Sequence, residues 1–249
     1  MGAGVIDVSF DFRSDTPCDK AGKFLDPDAH SPKLRAYHQL LWSKPLPNGT
    51  PFALDVITPW SYLHHNSGLG EFWLTSDTVI PFWTKWKRMA NITGQIPEVE
   101  RERFNRLRYT IGGMMIFPGN RVDGENTINQ ERGCNPKIDD RFDLTVECIR
   151  RHYLGQSSPL SATLARYPEF FALFGDFVGY VDFFHLQDLV DETASAIKFF
   201  MPSDDFIGSP RPATLDSYLS YRQCAAQFLE SRNLRIAAWS CCMAVTEEV

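Results

Sequence analysis

Apolar and polar residues alternate from Val5 to Phe12, and this period of two predicts a half-buried strand that stops at Ser14-Asp15-Thr16-Pro17. A polar stretch follows to His30, after which the period lengthens. Ser31-Pro32 supplies an N-cap with proline in the first helical position. Leu34, Tyr37, His38 and Leu41 follow at helical spacing, so a helix is expected to end near Trp42. Lys44 to Gly49 is a proline-rich connection closing in an Asn-Gly turn, and Phe52 to Asp55 reads as extended. Phe72-Trp73-Leu74-Thr75 is a second short strand. Thr75-Ser76-Asp77 is placed to cap a segment from Pro81 to Met89 whose Phe82, Trp83, Trp86 and Met89 share one apolar face.

Farther on, Glu98 to Leu107 predicts a helix, and Tyr109 to Phe117 is the best strand pattern in the chain, ended by Pro118-Gly119-Asn120. Its glycine pair, Gly112-Gly113, permits a bulge or a close backbone approach. From Asn120 to Asp143 the chain turns polar. Asp139 or Asp140 is then placed to cap the clearest helix of all, in which Phe142, Val146, Ile149 and Tyr153 recur on one side and Gly155 marks the end. Asp143, Glu147 and Arg151 step along the opposite side and read as exposed ion pairing. Leu160 to Arg166 suggests another helix, and the aromatic run from Phe170 to Phe184 suggests buried helices. Ala196 to Met201 reads as a late strand, Gly208 to Pro212 as a linker, and Ala213 to Asn233 as a strong terminal helix. Helices and scattered short strands without βαβ alternation indicate a helix-rich α+β fold with a small mixed or antiparallel sheet. We expect one compact domain over residues 1–249, with 1–30 a strand-plus-loop segment and 213–249 a helical segment.

Composition changes this picture little. The chain has 249 residues, of which 43% are hydrophobic and 22% charged, which is ordinary for a globular protein and excludes fibrous or wholly disordered classes. A net charge of −6 means that no whole-protein positive field draws the chain to nucleic acid, so any such binding needs a local patch. The six cysteines lack zinc spacing and are expected as free thiols; no metal site is expected. The N-terminus has no secretory pattern, and the apolar tract from Ile236 to Val245 is about half a membrane span, so a cytoplasmic location without membrane contact is expected.

The common phosphate-binding, zinc-protease and serine-hydrolase motifs are absent. The richest candidate stretch is Phe117 to Arg141, where Asn120, Arg121, Asn126, Asn129, Arg132, Asn135, Lys137, Asp140 and Arg141 crowd together. Amide and guanidinium tips read a base edge or clamp a phosphate, provided they converge on one hollow. The competing reading is a long surface loop whose Asp, Asn and Gly make turns and whose acids tie down its arginines. Lys85 to Arg108 is the most basic window and adjoins Trp83 and Trp86, a pairing used for single-stranded nucleic acid. The same spacing also builds a core with a solvated face, and that reading is preferred. His64 and His65 point to opposite faces of an extended segment and cannot share a metal. His152 suits a helix end, and His185 reads as a core histidine. Asp15 and Asp77, each in a Ser-Asp-Thr triplet, pair only if their strands are neighbours.

Ser14-Asp15-Thr16-Pro17, Leu40 to Gly49, Tyr109 to Gly113 with Ile116 to Asn120, and Asp140 to Thr145 resemble an uncharacterised bacterial family of unknown function, over roughly Phe12 to Ile236. The resemblance implies a cytoplasmic bacterial or phage-associated protein and carries over no site. The first functional expectation is an enzyme or binder for a nucleotide or nucleic acid, within a defence or toxin-like system. Its phosphate-bearing ligand would be held by Asn120, Arg121, Asn126, Asn129, Arg132, Lys137, Asp140 and Arg141. The alternative is a non-enzymatic interaction protein or homodimer. The sequence assigns no catalytic residue and no cofactor.

Overall fold

In the computed structural model, residues 6–56, 63–81, 83 and 86–246 are described, with side chains to residue 243; Val5, Phe82 and Lys85 lie outside them. The N-terminal alternation does not become a strand. The Asp7 carboxylate accepts hydrogen bonds from the backbone and hydroxyl of Ser9, which turns the chain, and a 3-10 turn follows at Phe12–Ser14. Phe12 is held instead by its N–H donating to the Tyr109 carbonyl. A short helix α1 (Pro27–His30) leads into α2 (Pro32–Trp42), where the Ser31 hydroxyl accepts from the Leu34 N–H as the proline-led pattern predicts. Asp15 completes that cap, accepting from the Ser31 hydroxyl at 2.6 Å and the Lys33 N–H at 2.9 Å. It is therefore a helix cap rather than a partner of Asp77.

The sheet is a three-stranded antiparallel meander in the order β1 (Leu63–Ser67), β2 (Gly70–Thr78), β3 (Met114–Pro118). Phe72, Leu74, Ser76 and Thr78 of β2 face the interior. Thr75-Ser76-Asp77 thus continues the strand instead of capping a helix, because strand alternation outlasts the short apolar run. The segment Tyr109–Phe117 is half strand only. Its first part is a 3-10 turn at Ile111–Gly113, and β3 begins at Met114.

After β2 come α3 (Lys87–Thr93) and α4 (Glu98–Arg108). The polar stretch 120–143 contains a helix, α5 (Ile128–Cys134), started by a capping box in which Thr127 and Gln130 exchange hydrogen bonds. α6 (Phe142–Tyr153) follows with Arg141 at its N-cap. Asp139 and Asp140 do not cap it, since both adopt left-handed backbone conformations just before it. α7 (Ser161–Leu164), α8 (Pro168–Ala172) and α9 (Phe177–Phe183) come next. The late segment 196–201 forms no strand beyond a single bridge between Val190 and Ile197. The chain closes in α10 (Leu215–Thr246), which runs past its expected end at Asn233.

The fold is α+β and helix-rich, and its buried apolar residues form one continuous cluster. Phe170, Phe174, Tyr180 and Phe184 stack edge to face at its centre, with Phe174 and Tyr180 rings 5.3 Å apart. α10 crosses this core. The buried Arg232 guanidinium donates to the carbonyls of Gly112, Met114 and Phe184, while Asn233 accepts from the Gly112 N–H at 2.7 Å. The predicted close approach at the glycine pair is therefore to this helix. No helix among the described residues is long and apolar enough to cross a membrane.

Candidate ligand cavity between α4 and α10

On α4, Arg101, Phe104, Asn105 and Arg108 fall at i, i+3, i+4 and i+7 and share one face; on α10, Tyr218, Tyr221 and Arg222 do the same. The two faces meet around a cavity of about 270 Å³. Trp83 and the ends of β2 and α3 close its other sides. The basic window read in the sequence as core plus solvated face thus also supplies a concave wall, which only the packing of α10 creates.

Three guanidinium groups border the cavity. Arg108 is buried and donates to the Ile80 carbonyl; burial lowers its pKa, yet a guanidinium stays cationic. Arg222 donates to the Glu100 carbonyl, and Arg101 lies exposed at the edge. Of the two acids present, Glu102 is engaged by Arg13 at 2.8 Å, and that hydrogen bond holds its pKa below the usual carboxylate value. The Tyr221 ring packs on Trp83 at 4.9 Å and on Phe200 at 5.8 Å. Its buried hydroxyl has no hydrogen-bond partner among the described residues. Burial pushes the Tyr221 pKa well up and that of Tyr218 in the same direction, so both hydroxyls remain protonated donors. The cavity therefore offers cations and aromatic side chains. Its lining includes no His, Cys or Ser.

The residues proposed from sequence as the ligand grip sit elsewhere and do not converge on this cavity. Arg132 is buried, with Asp77 at 2.7 Å and Asp140 at 2.9 Å, and it also donates to Thr145 and to the Asp140 carbonyl. Arg141 is buried against Asp143 and donates to the carbonyls of Met201 and Pro210. Asn126 donates to Glu131, Asn129 to Thr75, and Asn135 to Glu131 and Pro159. Asn120 contributes its carbonyl to the Tyr167 hydroxyl, Arg121 is exposed, and Lys137 borders a separate open cleft with Arg151 and Asp205. The guanidinium groups of Arg132 and Arg141 hold the stretch to the core, because α5 carries Arg132 between Asp77 of β2 and Asp140, and Arg141 meets Asp143 of α6. The face read as exposed pairing is likewise interior: Asp143 and Glu147 are buried, the latter between Arg150 and Arg151 at 2.7 Å each. One link to the cavity remains. The Trp83 indole donates to the Asp139 carbonyl at 3.0 Å, so the end of this stretch braces a cavity wall.

Two serine–histidine contacts escaped the sequence reading. His38 is buried; Trp42 donates to its Nδ1 at 2.9 Å, so Nε2 carries the proton and donates to Ser76 at 2.9 Å. That polarity is the reverse of a nucleophile and its base. His65 donates from Nδ1 to the Ala53 carbonyl, so Nε2 accepts from Ser67 at 2.7 Å. The same serine oxygen accepts from the Leu69 N–H and closes the β1–β2 turn. His64 faces outward to Glu71, opposite His65, as expected. Five of the cysteines are exposed and Cys148 is buried, all as free thiols. Among the described residues no group of three or more His, Cys, Asp or Glu is placed to hold a metal ion.

Residues 6–236 match the model of a Family of unknown function (DUF6994). No curated protein and no solved structure matches the chain.

Proposed function

The chain belongs to the DUF6994 family, and on the chemistry of the α4–α10 cavity we propose that it binds a nucleoside monophosphate or a similarly small aromatic anion there. The observation that carries this reading is the convergence of Arg101, Arg108 and Arg222 with Trp83, Tyr218 and Tyr221 on one cavity. Arginines suit phosphate, and the Trp83 and tyrosine rings suit a flat base. At about 270 Å³ the cavity is smaller than most small-molecule pockets, which favours a mononucleotide over a dinucleotide.

A thermal-shift titration with AMP, GMP, CMP, UMP and inorganic phosphate tests this. At a ligand concentration a hundred times Kd the expected rise in melting temperature is about 5 to 11 °C. Arg101→Ala should weaken binding by roughly tenfold, the worth of one charge-assisted hydrogen bond. Absence of stabilisation by every nucleotide, or unchanged affinity in Arg101→Ala, would overturn the proposal.

A second reading rests on the shallow groove that adjoins the cavity and shares Phe104 and Arg222 with it. Leu219 and Leu234 on its α10 side are 39% and 71% exposed. A second copy of the chain seated there would bury them, and a solution mass near twice 28.4 kDa at micromolar concentration would support that reading.

A further inference from the structure

Lys44 follows α2 by two residues and turns its side chain under the aromatic core. Its Nζ lies 5.3 Å from the Trp42 ring centre, 4.7 Å from Phe183 and 5.3 Å from Trp239. His185 Nε2 stands 3.1 Å away and accepts a hydrogen bond from it. The side chain is half-buried, and among the described residues it forms no ion pair with a carboxylate. The charged groups around it come from two helices. Arg232 of α10 opposes a second cation, Arg235 is already paired with Asp188 at 3.0 Å, and Asp182 of α9 favours the ammonium from farther off. His185 stays neutral, since burial and the neighbouring Lys44 hold its pKa at about 3.

Ring faces attract an ammonium, but burial without a carboxylate disfavours it more. Burial, reinforced by Arg232, brings the Lys44 pKa down to about 7. Among the described residues no other lysine sits in such a cage.

We propose that Lys44 is a nucleophilic amine that takes small aldehydes as imines within the cage formed by Trp42, Phe183 and Trp239. The neutral Nζ lone pair attacks the carbonyl carbon, and a C–N bond forms as the C=O π pair moves onto oxygen. A proton leaves Nζ and one joins that oxygen, giving a carbinolamine. Loss of water then leaves a C=N bond, so amine and aldehyde yield imine and water with no oxidant or further reactant. His185 is a positioning residue: by accepting from Nζ it orients the nitrogen without competing for its proton. This site is separate from the α4–α10 cavity and does not depend on nucleotide binding there.

The test is reductive alkylation of the folded full-length chain with acetaldehyde and cyanoborohydride at pH 7, followed by peptide mass mapping. Lys44 is expected to be alkylated at least tenfold faster than Lys20, Lys23, Lys33, Lys137 and Lys198, with a rate that rises through a midpoint near pH 7. In 8 M urea the preference should vanish. His185→Asn, which suits the left-handed backbone at that position, should shift the midpoint while leaving the adduct on Lys44. Alkylation of Lys44 no faster than that of the exposed lysines, or a preference that survives in urea, would overturn the proposal.

Discussion

A phenol hydroxyl buried without a partner among the described residues destabilises the folded state, and Tyr221 carries one. Its removal is expected to leave the unliganded protein as stable as before or more stable by about 1 kcal/mol. Urea unfolding of Tyr221→Phe without ligand checks this, and a loss above 1 kcal/mol would show that the hydroxyl already has a partner. Arg132 is the opposite case. Arg132→Ala strips the cation shared by Asp77 and Asp140 and is expected to cost about 3–5 kcal/mol, read by the same unfolding measurement. The residue types that suit a nucleotide were visible in the sequence, but their direction was not. Arg132 and Arg141 have the same chemistry as Arg108 and Arg222; which pair faces a hollow depends on the acids and helices brought alongside. Similarly, nothing in the string of letters shows that Trp42 donates to His38 and so reverses the Ser76 contact.

Some elements were legible: α2 from its Ser-Pro start, α6 from its apolar stripe, α4 after the composition break at Gly94–Pro97, and the middle of β2 as a short strand. What failed was segments decided by long-range partners. The N-terminal alternation has no neighbouring strand to pair with, because Phe12 is captured by Tyr109. α5 was hidden by polar composition, although Thr127 and Gln130 form a capping-box signature that could have revealed it. The glycine pair was legible as a place of close approach, without its partner. A methyl group on Gly112 would stand 2.7 Å from both the Asn233 side-chain oxygen and the Leu229 carbonyl of α10. Gly112→Ala is therefore expected to cost about 1–3 kcal/mol, measured by urea denaturation, and to loosen α10 from the turn before β3.

Across the whole molecule, charge is unevenly used. The net −6 gave no sign of a cationic cavity, whose arginines come from α4 and α10, more than a hundred residues apart. Acid stability turns on interior groups. Burial holds His38 at about pH 3 in the fold against an ordinary value near 6.5, so its contribution is complete above pH 6.5 and is lost as pH falls toward 3. Asp28, raised by burial, acts in the opposite sense, being favourable at low pH and lost on the way up. The histidine effect is thus best read as a difference: between pH 7.5 and 4.5, His38→Gln should lose roughly 3 kcal/mol less stability than the parent chain in urea unfolding. Arg232 has a further consequence. Its guanidinium occupies the carbonyls of Gly112, Met114 and Phe184, and burial among them lowers its pKa to about 9. Those carbonyls are synthesised long before Arg232 is. A nascent polypeptide from which α10 has not yet emerged leaves those three acceptors unmet, so closure of this part of the core waits for that helix.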